Sequence, residues 1–142
     1  MKFFAALLAL PAAAFAISTT LSWDDVYDNG ATSLNGVACS DGSNGLINRG
    51  YSTFGSLPNF PNIGGIPAIA EWNSASCGTC WNVTYINGQG ASMSIKVLGI
   101  DAGRGAFNVA KAAMNTLTKN QADQLGRVNV NAVQIASSEC GL

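Results

Sequence analysis

The stretch Trp81-Asn82-Val83-Thr84-Tyr85-Ile86-Asn87-Gly88, continued by Ser92-Met93-Ser94-Ile95-Lys96-Val97-Leu98-Gly99-Ile100, decides the fold class. Trp81, Val83 and Tyr85 fall in one phase, and Met93, Ile95 and Val97 repeat that phase on the return. Period-two alternation on both sides of an Asn-Gly pair predicts a β-hairpin with one face against a core.

Working outward, residues 17–27 favour a first strand, which Asp28-Asn29-Gly30 ends with turn chemistry. A short strand is expected at 37–39, then a polar glycine loop at 40–45. The irregular stretch 49–65 contains Pro58, Pro61 and Gly64-Gly65, and order resumes at 67–71. Loops this long in a small domain are usually functional or pinned. Apolar residues at 106, 109, 110, 113, 114 and 117 have helical spacing and predict an amphipathic helix over 106–117. Thr118-Lys119-Asn120-Gln121 reads as a capping box opening a short helix that ends at Gly126. In the last strand, 128–136, Val128 and Val130 lie in one phase and Val133 and Ile135 in the other, so a bulge near Ala132 is expected. The pattern is mainly β with short helices.

The chain has 142 residues, 48% hydrophobic, yet only 11% are charged, against about 25% in a typical soluble domain. It contains no histidine, which excludes Ser/His/Asp and Cys/His nucleophiles, His-ligated zinc and an imidazole base. No cofactor or metal is implied. A net charge of -1 without a Lys/Arg block gives no footprint for nucleic acid or an anionic membrane. Residues 1–16 read as a secretory signal peptide: Lys2, an apolar run, then Ala14-Phe15-Ala16. Ser18, Thr19 and Thr20 cut the run short of the roughly 20 residues a membrane span needs. Residues 17–142 then form one domain without repeats, wetted mainly by 14 Asn, 13 Ser and 8 Thr. Such a surface suits sugars.

Cys39, Cys77, Cys80 and Cys140 form an even set, which in a secreted chain argues for disulfides. Closing Cys77 onto Cys80 would stabilise by only about 2 kcal/mol, against about 4 for a long-range bridge. The βαβ context of a redox Cys-x-x-Cys is also missing. Two pairings stay level: 39–77 with 80–140, and 39–80 with 77–140.

Six segments read together: Val37-Ala38-Cys39-Ser40-Asp41-Gly42-Ser43-Asn44-Gly45-Leu46, Pro58-Asn59-Phe60-Pro61-Asn62-Ile63-Gly64-Gly65, Trp72-Asn73-Ser74 with Ser76-Cys77-Gly78-Thr79-Cys80-Trp81, Phe107-Asn108 with Ala113-Met114-Asn115, Leu125-Gly126-Arg127, and Cys140-Gly141-Leu142. Over nearly the whole of 17–142 the chain resembles the cerato-platanins, small secreted fungal proteins. That resemblance implies a six-stranded double-psi β-barrel, related to the barwin and expansin barrels. It also implies the pairing Cys39–Cys77 and Cys80–Cys140. Further implied are binding of chitin oligomers, weak non-hydrolytic loosening of cellulose-like material, self-assembly at interfaces, and perception by plants.

Asp101 is the leading candidate residue, placed after an apolar strand and before Ala102-Gly103-Arg104-Gly105, with Arg104 as a potential cationic partner. In the resembling family an Asp here lines a shallow groove and matches the retained acid of expansin-like barrels. Ala102 follows it where many relatives carry a polar residue or His, which argues against proton shuttling. A helix-entry Asp is the competing reading. Hydrolysis of a glycoside normally needs two carboxylates. Asp41 is the second candidate, although Asp41-Gly42 is a turn signal in its own right. Asp24, Asp25 and Asp28 read as a solvated edge.

Rings cover the C–H faces of sugars while amides and hydroxyls hydrogen-bond around them. Trp23, Tyr27 and Tyr51 lie in segments open to exposure, Trp81 reads as core, and Trp72 is undecided. Asn44 either bonds a glycan or shapes its turn. Asp101, Asp41, Asn44 and Tyr51 make up the expected carbohydrate site. The sequon Asn82-Val83-Thr84 is the only one, and its place in a strand beside Cys80 lowers the expectation of glycosylation. The expected function is non-catalytic binding of chitin or related β-linked oligosaccharides, outside the cell or in the fungal wall, with perception by a plant receptor. The competing functions are expansin-like loosening with Asp101 as lone acid, and a self-assembling surface coat.

Overall fold

The computed structural model describes residues 16–142. The expected signal peptide lies outside them except for Ala16, which opens the first strand.

The described residues contain six strands: β1 (Ala16–Trp23), β2 (Ile63–Ile66), β3 (Cys80–Ile86), β4 (Ser92–Ala102), β5 (Phe107–Val109) and β6 (Arg127–Ile135). They close into a barrel in the order β1-β5-β2-β4-β3-β6. Two of the contacts, β1 with β5 and β2 with β4, are parallel, and the others are antiparallel. This is the closed six-stranded barrel that the resemblance implies. The predicted hairpin is β3–β4: Trp81 faces Val97 and Val83 faces Ile95, all four buried. Trp81 meets Phe107 of β5 edge-on across the interior, ring centroids 6.2 Å apart. Truncating either ring would cost about 3–5 kcal/mol.

Strand β2 reverses one expectation, since Ile63-Gly64-Gly65 lies at the end of the irregular stretch 49–65. Its glycines are what allow it to be a strand. A Cβ on Gly64 would run into the backbone of Asn108 and Val109, and one on Gly65 would lie 2.7 Å from the Ala102 carbonyl. β2 is thus squeezed between β5 and β4, where only glycine admits the neighbouring backbones.

Strand β5 occupies the beginning of the expected helix. Phe107 and Val109 turn inward with Asn108 between them, and α1 begins only at Lys111 and runs to Thr118 (Lys111–Thr118). Pairing on both edges outweighs the helical spacing there. Inside α1 the pattern holds, with Ala113, Met114 and Leu117 buried. The short α2 (Ala122–Leu125) ends at Gly126 as expected. Thr118 Oγ1 accepts from the Gln121 N–H at 3.2 Å, while Lys119 and Asn120 take left-handed backbone between the helices.

β1 is shorter than expected, giving way to a 3₁₀ turn at Asp25–Asp28. β6 carries no bulge: its register with β1 and β3 is continuous. Val128, Val130 and Ala132 turn inward, and Ile135 packs from the other side, partly buried. The bulge lies instead between β2 and β4, where Gly64 faces Gly99 but Gly65 faces Asp101.

The disulfides are Cys39–Cys77 and Cys80–Cys140, the pairing implied by the resemblance. They bridge separations of 38 and 60 residues. Chain entropy assigns each about 4 kcal/mol. The first pins the loop carrying Asp41 and Asn44, and the second ties the C-terminal turn to the start of β3.

Candidate functional site

The bulge positions Asp101. The extra residue, Ile100, is fully buried, and the carboxylate that follows emerges at the end of β4, half-buried. Bulges re-aim side chains in this way at the rims of barrels. Asp101 Oδ2 accepts the Tyr27 hydroxyl proton at 2.8 Å. Its Oδ1 accepts from the N–H of Ala38 at 3.0 Å and from its own neighbour Ala102 at 2.9 Å. All three donors are neutral. The ion pairs among the described residues are Lys96–Glu139 and Lys111–Asp123, so Arg104 is not the partner of Asp101.

Tyr27 sits in the 3₁₀ turn after β1 and is 5% exposed, stacked on Phe54 with centroids 5.9 Å apart. Burial, then the charge of Asp101 and the hydrogen bond to it, then Asp24, push its phenol pKa well above the ordinary tyrosine value. The hydroxyl is therefore a fixed donor. Asp101 and Tyr27 line a cavity of about 350 Å³ with Asp24, Thr32, Ser33, Val37 and Phe54. Asp41, Asn44 and Tyr51 are not among its lining residues.

Asp41 and Asn44 belong to a second cluster. Asp41 Oδ1 accepts from Trp72 Nε1 at 2.9 Å and from Ser40 Oγ at 3.2 Å. The Trp72 bond is the first cause holding this exposed carboxylate below its ordinary pKa. Asn44 donates twice to Asn73, from its N–H to Oδ1 at 2.8 Å and from Nδ2 to the carbonyl at 3.0 Å. The clusters meet at Ala38, whose N–H donates to Asp101 and whose carbonyl accepts from Asn73 N–H at 3.1 Å. Tyr51 donates its N–H to the Leu46 carbonyl, and its ring is partly buried against the core. The structure thus places Asp101 on one side of Ala38 and Asp41 and Asn44 on the other, with Tyr51 apart from the cavity.

Of the remaining aromatics, Trp23 packs inward with its Nε1 on the Ala122 carbonyl and the Lys111 ammonium 4.7 Å above the ring. Tyr27 is buried rather than exposed. Trp72 is 57% exposed. Asn82 lies half-buried in β3 between two inward-facing residues, Trp81 and Val83, and pairs with Lys96 and Val133. Asp28 is not a solvated edge: its two oxygens accept from Lys111 N–H at 2.7 Å and Ala112 N–H at 2.9 Å. It caps α1, whose own first residues supply no cap.

Sequence reasoning missed Tyr27 as the partner of Asp101 and Asp24 as a wall of the cavity. Only tertiary contact joins them, so no local signal existed. For Trp72 a signal did exist: Glu71-Trp72-Asn73-Ser74 surrounds an indole with polar residues outside any apolar period.

Comparison with known proteins identifies the family and the fold. The sequence model of the Cerato-platanin family matches residues 19–142. The "Allergen Asp f 15 homolog" of Arthroderma benhamiae is 53% identical over 130 residues, covering 92% of this chain and 62% of that protein. The chain thus spans just over three fifths of that relative's length. "Cerato-platanin" of Ceratocystis fimbriata f. sp. platani is 47% identical over 132 residues, 92% of each chain. The crystal structure of cerato-platanin 2 from M. perniciosa superposes with a TM-score of 0.83 at 45% identity, covering 88% of this chain and 99% of that one. By sequence and by fold, the chain belongs to the cerato-platanin family.

Proposed function

We propose that this cerato-platanin is a secreted, non-hydrolytic glycan-binding protein that takes β-linked N-acetylglucosamine oligomers at the Asp101 cavity and is perceived by plants. One observation carries the reading: Asp101 has both oxygens taken as acceptors by three neutral donors, in a cavity whose walls offer hydroxyls and apolar carbon. A general acid must present a proton to the glycosidic oxygen. A carboxylate engaged in this way presents acceptor charge instead, suited to hydroxyl and acetamido N–H donors of a sugar. The volume lies at the lower end of small-ligand sites, enough for part of an oligomer whose remainder lies across the surface. The resemblance and the amide-rich surface support the same class of ligand.

Pelleting with insoluble chitin tests the binding and the absence of hydrolysis. Retention of the protein without release of reducing ends is the expected result; protein left in the supernatant, or released sugar, would reject it.

A second reading, expansin-like loosening, draws on Asp24, a second carboxylate lining the Asp101 cavity. It requires filter-paper fragmentation that both Asp24→Asn and Asp101→Asn abolish.

A further inference from the structure

Trp72 is the large apolar side chain most exposed to solvent among the described residues, at 57%. An exposed indole on a loop ordinarily samples several rotamers, and ordering it on binding costs free energy. Here a hydrogen bond favours one orientation of the ring in advance. The indole N–H is held by Asp41 Oδ1 at 2.9 Å, and Asp41 is itself braced by the Ser40 hydroxyl.

The backbone under the ring is fixed as firmly. Asn73, in left-handed backbone, donates its N–H to the Ala38 carbonyl at 3.1 Å, and its side chain and carbonyl both accept from Asn44. Gly42 lets this contact form, since a Cβ there would lie 2.5 Å from Asn73 Oδ1. An exposed ring with its one polar atom already satisfied has an apolar face left to offer.

We infer that Trp72 is a preorganised stacking platform for a pyranose ring, a subsite continuing the Asp101 cavity across Ala38. The inference rests on the glycan-binding reading above and adds to it the residue that recognises the C–H face of the sugar. Asn73, next in the chain, and the Asn44 and Ser43 bonded to it put amide and hydroxyl groups in the same loop cluster, a chemistry matching the hydroxyls and acetamido groups of a neutral β-linked oligomer. Asp41 is a positioning residue: it holds the indole and leaves the ring faces to the ligand. Ala38 bonds Asp101 through its N–H and Asn73 through its carbonyl, so an extended oligomer lying across Ala38 would reach both.

The test is an NMR titration of the full secreted protein with chitin tetramer, following the three tryptophan indole N–H signals, the Ala38 and Ala102 amides, and the affinities of Trp72→Ala and Trp72→Phe. The Trp72 signal, assigned by its absence from W72F, is expected to shift while those of Trp23 and Trp81 stay. W72A is expected to bind about tenfold more weakly and W72F within about threefold of wild type. Shifts at Ala38 and Ala102 with a stationary Trp72 signal, and a W72A affinity equal to wild type, would overturn the platform and leave the cavity reading intact. No shift anywhere would overturn both. A Trp72 signal that moves on dilution without sugar would assign the ring to contact between copies of the chain and overturn the inference. If W72A proves misfolded by its amide spectrum, the unmoved or moved indole signal of wild type decides.

Discussion

The phenol of Tyr27 donates a 2.8 Å hydrogen bond to Oδ2 of Asp101, joining residues 74 positions apart. A hydrogen bond to a charged acceptor contributes about 1.5–3 kcal/mol, so Tyr27→Phe is expected to destabilise the protein by that order near neutral pH. Because the folded phenol holds its proton far more tightly than the ordinary value of 10.0, its stabilisation is full below that value. It declines as alkali ionises the phenol of the unfolded chain and is lost toward the folded pKa. Urea midpoints measured through alkaline pH should therefore fall more steeply in wild type than in Y27F; parallel slopes would contradict the Tyr27 assignment.

Asp41 behaves in the opposite sense. Its carboxyl is held below the ordinary 3.8, first by the Trp72 N–H, then by a backbone N–H and the Ser40 hydroxyl. The stabilisation from these contacts is present above 3.8 and lost as pH falls through the lower folded value. The Trp72 indole signal is expected to titrate with a midpoint below 3.8, and Asp41→Asn to remove that transition. A midpoint at or above the ordinary value would break the link between the two residues.

Asp28 supplies the cap that α1 lacks, bonding Lys111 and Ala112 N–H from 83 and 84 positions away. Capping and the helix dipole together make this carboxylate worth about 1–2 kcal/mol. Asp28→Ala should lower Tm by roughly 3–8 °C, while Asp25→Ala, on the same turn without such bonds, should leave it within about 2 °C.

Gly64→Ala would drive a methyl group into the backbone of β5, with no flexible side chain to give way. Destabilisation well beyond about 3 kcal/mol, seen as loss of soluble secreted protein, is expected. Gly88→Ala meets nothing within 4 Å and should be tolerated, which separates the clash from any general intolerance of glycine replacement.

What could be read from sequence and what could not divide along physical lines. The β3–β4 hairpin was legible because its alternation is long and its turn residues are strongly typed. The strand Phe107–Val109 at the head of the expected helix was not, since three residues are too few to show their own period and pairing to β1 and β2 decides. Gly64-Gly65 reads as a loop by composition because the crowding that demands glycine comes from strands more than thirty residues away in sequence. The pairing of cysteines stayed level by entropy and was fixed by the resemblance. At the site, Asp101 was visible at the end of an apolar strand. Its real partners, Tyr27 and the Ala38 N–H, became visible only when the chain closed. The same closure separated Asp101 from Asp41 and Asn44 by the width of Ala38, and placed Tyr51 against the core.

On the proposed function, the Asp101 cavity receives a β-linked N-acetylglucosamine oligomer. The amides of Ala38 and Ala102 both donate to Asp101 Oδ1, so their proton shifts report directly on that oxygen. Titration with chitin tetramer to millimolar concentration is predicted to move both signals saturably in wild type, and to leave them still in Asp101→Asn that retains the wild-type fold. Signals that stay in place in wild type at millimolar ligand would mean that the Asp101 cavity does not take this ligand.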